Sequence, residues 1–363
     1  MMKKHISLIL VLALWLSLTA WAWVKPADAS SDSERRPLEQ FPKVTMQSIL
    51  SGRFMSDFAD YAVDQFPLRD SWRTLNAWLT YYGLGQKDNN GIYISDGYAA
   101  KMEYPLSQTS IAFAIARYND LYNMYLKNTE DIYFVAVPDK SYYMADAAGV
   151  LSMDYDALFA SLKEGMDWAE FIDITDCLSK ESYYRTDTHW RQEHLLPVVE
   201  KLGAAMGLEV PTDYEVTLAT PSFYGVYYGQ AALPMPAEDL NWLIWEGLED
   251  VTVQILDSGT TTTVYNEQKL SSKDPYESFL SGNVAIEVVE NPNATSDRHL
   301  VVFRDSFGSS IVPLLSRSYA KITLVDTRYI YPMMVGQFVD FEGAEVMFLY
   351  STLILNSSSA LRK

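Results

Sequence analysis

The stretch LVVFRDSFGSSIVPLL at residues 300–315 decides the fold. Its first four residues are apolar and predict a short buried strand, and the run from Ile311 predicts the start of a helix. Ser306 lies on the turn between them. Such a turn exposes a serine hydroxyl at the carboxyl end of a sheet and places backbone N–H groups and a helix N-terminus beside it. The stretch therefore predicts an α/β sheet with a candidate nucleophile, Ser306, next to a place where an oxyanion can be stabilised.

A serine hydroxyl is a weak nucleophile and needs a neighbouring base. The sequence offers one in the stretch TDTHW at residues 186–190, which contains Asp187 and His189. These two residues are two positions apart, so on an extended segment their side chains point the same way. Asp187 would then orient the imidazole of His189, although the charge partner could also lie elsewhere in the chain. We predict a triad of Ser306, His189 and Asp187, with the base preceding the nucleophile.

Composition excludes several classes of function. The chain has 363 residues, 48% of them hydrophobic, and a formal net charge of −19. That charge argues against nucleic-acid binding and against docking on anionic lipid through basic patches, and it suits a neutral or sugar-like partner. The single cysteine, Cys177, cannot form an intramolecular disulfide. With four histidines and no Cys/His cluster in the sequence, we expect no structural zinc site and no bound metal.

The N-terminus predicts a targeting segment at residues 1–24. Lys3 and Lys4 precede an apolar run from Ile6 to Trp23. The length of the run is close to the ~20 residues that span a bilayer, which favours an uncleaved anchor. Two small-x-small patterns, Ala-Trp-Ala at residues 20–22 and Ala-Asp-Ala at residues 27–29, fit a cleaved signal peptide instead. In either case the lysines before the run place the body of the protein outside the cytoplasm.

Residues 25–50 are polar and show no periodic apolar pattern, so we interpret them as a linker. Beyond them, apolar strand-like runs alternate with helical patterns, which predicts a mostly parallel sheet with helices on both faces. Residues 210–285 are richer in Tyr, Thr, Ser and Gly and predict a β-rich insertion. Lys140 follows the apolar run at residues 132–137. Because ligands bind at the carboxyl ends of strands in such sheets, Lys140 is a candidate site residue, with a structural or solvated role as the alternative.

The two motifs together resemble a known group of proteins. TDTHW at residues 186–190 and RDSFG at residues 304–308 are similar to the permuted SGNH-hydrolase-like domains of the alginate O-acetylation proteins, and more closely to the related bacterial DHHW family. In ordinary SGNH hydrolases the serine block comes first, whereas here it comes last, as in circularly permuted members. Thr188 replaces the first histidine of the DHHW motif, and Arg304 stands where related hydrolases have glycine. The resemblance covers most of the chain from about residue 52, including the segments 64–70, 90–93, 137–140, 223–225, 274–283, 326–329 and 350–356.

The resemblance implies a fold and an activity. It implies a circularly permuted, SGNH-hydrolase-like, three-layer α/β/α domain over residues 51–363, with a β-rich insertion at about 210–285. It also implies an extracytoplasmic O-acetyltransferase that modifies a polysaccharide or cell-wall glycan by double displacement, without a metal or dissociable cofactor. Such proteins work beside a membrane-bound O-acyltransferase. An acetyl esterase with the same triad, and a non-catalytic glycan-binding or assembly protein, remain alternatives.

The sequence also predicts residues that contact the substrate or the oxyanion. Substrate contacts are predicted at Lys140, Arg304, Arg328, Tyr276 and Asn283. The side-chain donors of the oxyanion hole are not assigned by the motifs, and Asn283 and Asn356 are the candidates.

Overall fold

The computed structural model describes residues 2–362, and the chain divides into two compact units. The first unit comprises Met1–Asn90 and Tyr228–Pro234, and the second comprises Gly91–Tyr227 and Met235–Lys363. The elements of the first unit before residue 91 are α1 (Met2–Val24), β1 (Ser30–Ser31), β2 (Arg36–Pro37), α2 (Met46–Leu50), α3 (Arg53–Asp64), α4 (Arg69–Trp78) and β3 (Asp88–Asn89). Within α1, the segment Ile6–Val24 is long enough and apolar enough to cross a membrane, judged by length and composition alone.

The stretch predicted as a linker is tied to α3 by a long-range ion pair. The Arg36 guanidinium donates to both oxygens of the Asp64 carboxylate, at 2.6 and 2.8 Å. Asp64 is 6% exposed. The hydrogen bonds from Arg36 lower the pKa of Asp64 to about 2. The composition of residues 25–50 does not reveal this pairing, because the partner lies 28 positions further along the chain.

The second unit contains a large sheet and its covering helices. Its strands are β4 (Ile92–Ser95), β5 (Tyr98–Lys101), β6 (Ile132–Val137), β7 (Glu170–Phe171), β8 (Glu215–Phe223), β9 (Glu238–Ile244), β10 (Thr252–Ile255), β11 (Thr260–Thr262), β12 (Ile286–Glu290), β13 (His299–Arg304), β14 (Lys321–Val325) and β15 (Ala344–Ser351). Its helices are α5 (Gln108–Leu121), α6 (Lys140–Ala148), α7 (Tyr155–Gly165), α8 (Leu196–Met206), α10 (Gly308–Leu315) and α11 (Thr352–Asn356). Residues of α9 (Val226–Ala231) fall in both units.

The central sheet has eight strands in the order β11-β10-β12-β14-β13-β15-β6-β7. From β14 to β7 all neighbours are parallel, whereas β12, β10 and β11 add antiparallel pairs at one edge. The predicted mostly parallel sheet is thus confirmed. The region predicted as β-rich contributes β10 and β11 to this sheet, and β8 pairs with β9 in a separate antiparallel ribbon.

Helices cover both faces of the sheet. Alternate side chains of each central strand point to opposite faces and so pack into two different cores. Val302 of β13 and Leu349 of β15 pack with the apolar residues of α8 and α10. Val301 and Phe348, their neighbours along the same strands, pack with the apolar residues of α5 and α7. The three-layer α/β/α architecture predicted from the sequence is therefore present, and it brings the carboxyl ends of β6, β13, β14 and β15 to one edge.

Candidate active site

The turn after β13 presents Ser306 at the carboxyl edge of the sheet. Asp305 fixes this turn, because its carboxylate accepts the backbone N–H of Phe307 at 3.0 Å and that of Ser351, at the end of β15, at 2.8 Å. Gly308 then packs on Arg304; a Cβ at this glycine would lie 2.9 Å from the Arg304 Cβ. Across residues 301–316, Ser306 is the one residue that is not buried. The structure thus offers this hydroxyl, and little else of the turn, to a substrate.

The candidate base, His189, lies on a tight loop at residues 183–190. The loop is closed by an antiparallel bridge between Tyr183 and Trp190 and by the Tyr184 N–H, which donates to the carbonyl of His189 at 3.1 Å. One carboxylate oxygen of Asp187, Oδ1, accepts the backbone N–H of His189 at 3.0 Å and lies 2.6 Å from its Nδ1. Asp187 and His189 therefore meet through a turn, and the extended segment predicted from their spacing is wrong. The Asp187 side chain is short and accepts the backbone N–H two residues further on. This turn holds its carboxylate closer to the His189 ring than an extended strand would.

The structure brings all three predicted triad residues together. His189 Nε2 lies 2.8 Å from Ser306 Oγ, although the two residues are 117 positions apart. An ionised carboxylate can only accept hydrogen bonds, so the proton of the neutral imidazole sits on Nδ1, facing Asp187. The lone pair of Nε2 then faces the Ser306 hydroxyl. This geometry is that of a serine activated by a base whose ring is oriented by a carboxylate.

Tyr276 supports the imidazole from one side. Its ring stacks on the His189 ring with centroids 3.8 Å apart and an angle of 6° between the planes. Its hydroxyl donates to Ser310 Oγ at 2.8 Å, and burial raises the pKa of Tyr276 well above its usual range, so the hydroxyl stays protonated. The sequence predicts Tyr276 as a substrate contact. Since it is 3% exposed and stacks on His189, the structure places it against the candidate base and not at the surface where a substrate would bind.

Trp190 connects the loop of His189 to the turn of Ser306 and to α10, the helix that follows it. Its indole Nε1–H donates to Ser310 Oγ at 2.8 Å and lies 3.2 Å from the carbonyl oxygen of Phe307. Gln192 adds a second link through its side-chain amide, which donates to the carbonyl of Ser310 at 2.8 Å. Sequence reasoning missed both residues. The only available signal for Trp190 was its place directly after His189 in the motif.

Gly225 makes room for Asp187. The second oxygen of the Asp187 carboxylate accepts the Val226 N–H at 2.8 Å, and the Gly225 N–H donates to Thr186 Oγ1 at 2.9 Å. A Cβ on Gly225 would lie 2.2 to 2.4 Å from three atoms of Asp187. The close approach of the two segments therefore requires glycine at position 225.

We expect Gly225→Ala to move Asp187 and to lower kcat by about 10²-fold, because a displacement of about 1 Å in a catalytic group has an effect of that size. Turnover of a chromogenic acetyl ester and urea unfolding of the same samples measure the two consequences separately. Gly83→Ala is the matched control, since a Cβ there meets only Leu79 at an ordinary 3.6 Å. Equal turnover by the two variants would contradict this role for Gly225.

Lys140 is buried, so the structure corrects its prediction as a substrate contact. It is 2% exposed, and its ammonium donates to the backbone carbonyls of Ala99 and Asp187, both at 2.7 Å, and to that of Tyr184. Burial lowers the pKa of Lys140 to about 7. Lys140 thus binds two carbonyls of the loop that carries Asp187, those of Tyr184 and of Asp187 itself, and the structural alternative considered from the sequence describes it.

Arg304 is also buried and is corrected in the same way. Its side chain is inaccessible to solvent. Its guanidinium pairs at 2.6 Å with the carboxylate of Glu287, which lies on β12. A further N–H of Arg304 lies 3.1 Å from Ser309 Oγ. Arg304, which stands where related hydrolases have glycine, therefore packs inside the protein beneath the turn of Ser306. It does not reach the surface on which Ser306 is exposed.

Arg328 and Asn283 do lie at the edge that carries Ser306. Arg328 follows β14 and is held by the Asp326 carboxylate, with Nη2 at 2.6 Å. Asn283 is exposed and precedes β12, and its Oδ1 is 3.4 Å from Arg328 Nη2. Both remain candidates for substrate contact.

Asn356 is engaged in the fold and is not free to serve an oxyanion. Its Oδ1 accepts the Ser107 N–H at 2.7 Å and its Nδ2 donates to Glu103 at 3.0 Å. In the part of the chain described, residues 2–362, no protein atom accepts the backbone N–H of Ser306. That N–H is therefore a candidate donor to an oxyanion on Ser306, and Asn283 stays the side-chain candidate predicted from the sequence.

Comparison with solved structures identifies the fold. A DHHW family protein from Eubacterium siraeum is similar with a TM-score of 0.61 and 17% identity, over 75% of this chain and 94% of that one. PatB1 of Bacillus cereus, solved with a sulfonyl adduct, is similar with a TM-score of 0.58 and 18% identity, over 75% and 97%. The O-acetyltransferase domain of Pseudomonas putida AlgJ is similar with a TM-score of 0.45 and 13% identity, over 73% and 92%. No protein-family model and no curated protein matches the sequence. The chain therefore has the fold of the DHHW family protein and PatB1, as the resemblance in its motifs predicts.

Proposed function

We propose that this chain is an extracytoplasmic, serine-dependent O-acetyltransferase that modifies a polysaccharide or cell-wall glycan. The observation that carries the proposal is the unbroken hydrogen-bonded series from Asp187 through His189 to Ser306, with spacings of 2.6 and 2.8 Å. It ends on the one residue of its turn that is not buried. The acetyl group and the glycan acceptor come from the resemblance of the motifs to the DHHW family.

In the first half-reaction His189 Nε2 takes the proton of Ser306 as its Oγ attacks the carbonyl carbon of an acetyl donor. The carbonyl oxygen becomes an oxyanion, and the Ser306 N–H donates to it. Asp187 stabilises the imidazolium through Nδ1–H. When the bond from the carbonyl carbon to the donor oxygen breaks, the leaving oxygen receives the proton from His189, and acetyl-Ser306 remains.

In the second half-reaction a sugar hydroxyl gives its proton to His189 and attacks the acetyl carbon. The bond to Ser306 Oγ breaks, and Oγ regains the proton from His189, so that the free enzyme returns. Water at the same place would release acetate and make the protein an esterase. The two activities differ only in which hydroxyl approaches acetyl-Ser306.

PatB1, whose fold this chain shares, has been solved with a sulfonyl adduct. Sulfonyl fluorides react with serine hydroxyls that a neighbouring base has activated. For this chain we assign such a reaction to Ser306, because its Oγ faces the lone pair of His189 Nε2. A sulfonyl fluoride therefore reports on the proposed triad without an acetyl donor.

The proposed location rests on α1. The segment Ile6–Val24 is apolar, 6% of it is buried, and it lies near the N-terminus, as in a membrane anchor. We propose that it is retained and holds the protein on the outer side of the membrane. A membrane-bound O-acyltransferase that supplies the acetyl donor is the partner that this placement suits.

Transfer to a glycan is the result that tests the proposed function. The full chain is incubated with a chromogenic acetyl ester, with and without soluble oligosaccharide acceptors of cell-wall and exopolysaccharide type. We expect acetylated oligosaccharide, detected by mass spectrometry, and a faster release of chromophore as the acceptor concentration rises. Release of acetate alone, at a rate that no acceptor changes, would identify the protein as an esterase and contradict the transferase.

A further inference from the structure

The helix α4 carries an exposed apolar face that the proposed reaction does not use. The face runs along α4 and the turn that follows it, and its residues recur at helical spacing: Leu68, Trp72, Leu75, Trp78, Leu79 and Tyr82. Their exposed fractions run from 43% at Trp72 to 70% at Tyr82. A contiguous apolar surface of this kind on a folded unit marks a place where another phase or molecule covers it.

The face lies close to the end of the proposed membrane span. α1 ends at Val24, and Asp28 is already fixed to the end of α3. The Asp28 N–H donates to Gln65 Oε1 at 2.8 Å, and Gln65 Nε2 donates to the Asp28 carbonyl at 2.9 Å. Four residue steps reach at most about 14 Å. Trp21 of α1 and Leu68 of the apolar face moreover line the same cavity, of about 610 Å³.

Polar and charged contacts hold the chain after α1 against α4. Glu34 pairs with Arg69, and also with Arg73 at 3.2 Å, while Ser33 Oγ donates to Asp70 at 3.0 Å. These arginines are therefore engaged within the protein. The apolar face itself carries no charged residue, so burial and not attraction to anionic lipid would hold it at a surface.

We propose that this apolar face lies in the lipid–water interface of the membrane that α1 spans. Trp and Tyr are enriched at that depth, because their rings are apolar and their N–H or O–H groups remain hydrated. The face would then fix the first unit flat on the bilayer, instead of leaving it on a flexible tether. This proposal rests on α1 being retained as an anchor.

Depth measurement by spin label tests the proposal on the full chain in phosphatidylcholine vesicles. The background is Cys177→Ser, which removes the single cysteine. A nitroxide is attached at Leu75→Cys, on the face, and in a second protein at Asp70→Cys. Position 70 is also exposed on α4 and lies about 140° away around the helix axis. Circular dichroism confirms that both proteins fold.

We expect the label at position 75 to collide with dissolved oxygen several-fold more often than with a water-soluble nickel chelate, and the label at position 70 to show the opposite preference. If the chain floats with the vesicles but position 75 is as open to nickel as position 70, the interfacial face is overturned while the anchor stands. A chain that does not float with the vesicles would overturn the anchor and the interfacial face together.

Discussion

Replacing Ser306 with alanine is expected to abolish acyl transfer, lowering kcat by about 10⁴-fold or more, the size of effect found when a triad serine is removed. The substitution removes the atom that would carry the acetyl group and leaves the hydrogen bond of His189 to Asp187 intact. Stability should change little, because among residues 2–362 the Ser306 Oγ is bonded only to His189, and Ser306 is partly exposed. The measurement is turnover of a chromogenic acetyl ester, with urea unfolding of the same preparation.

Two further proteins sharpen this experiment. Ser359→Ala makes the same chemical change at an exposed serine near the C-terminus and should retain full turnover. His189→Ala removes the base, so a sulfonyl fluoride that labels Ser306 in the wild type should label this variant far more slowly. Peptide mass spectrometry locates the label. Turnover by Ser306→Ala at the wild-type rate, or sulfonylation at a different residue, would disprove the proposed nucleophile.

The local motifs predicted three residues that the structure places within hydrogen-bonding distance of one another, because each motif is short and its chemistry is local. The run ending at Phe303 forms a buried strand, and Ser306 follows on the turn, as the hydrophobic pattern indicates. Asp187 and His189 meet within their own loop. What the motifs did not contain is the distance between the two loops, which the sheet order and the link from Trp190 to α10 determine.

The substrate contacts predicted at Lys140 and Arg304 were wrong for a common physical reason. Both residues lie at the carboxyl ends of strands, and a basic residue there can point outward to a ligand or inward to acceptors. The inward acceptors are distant in sequence: Glu287 is 17 positions from Arg304, and the Asp187 carbonyl is 47 positions from Lys140. Hydrophobic periodicity does not record such partners. Gly225 was hidden in the same way, since only the folded chain brings it against Asp187.

Replacing Lys140 with methionine is expected to lower the stability of the protein and to disturb the proposed triad. Methionine fills a similar volume but donates no hydrogen bond. The carbonyls of Ala99, Tyr184 and Asp187 would lose their donor inside the protein. Each buried carbonyl left without a partner costs about 1–3 kcal/mol, against which the buried charge is relieved, so we expect a net loss of about 3 kcal/mol in the free energy of unfolding. The loop carrying Asp187 loosens, and sulfonylation of Ser306 slows.

The stability difference should also depend on pH in a defined direction. Burial lowers the pKa of Lys140 from 10.5 to about 7 in the folded protein. Between these values the unfolded chain binds a proton at Lys140 that the native protein does not, so the stability of the wild type rises with pH. The methionine variant lacks this contribution. The advantage of wild type over Lys140→Met should therefore grow between pH 7.5 and 9.5, by up to about 1.4 kcal/mol per pH unit.

Urea unfolding of both proteins at the two pH values measures this difference, and all other titrating groups cancel in the comparison. Lys163→Met is the matched control: Lys163 is exposed on α7, so its replacement should change stability little and without pH dependence. Burial lowers the pKa of Lys140, whereas the three carbonyls around it favour the charged form and so raise that pKa. Together they accept all three protons of the ammonium group. A stability difference that stays constant from pH 7.5 to 9.5 would show that these carbonyls keep Lys140 charged, and would contradict the lowered pKa. A difference that grows with pH would show that burial prevails and that the loop of Asp187 is held by a lysine that titrates near neutrality.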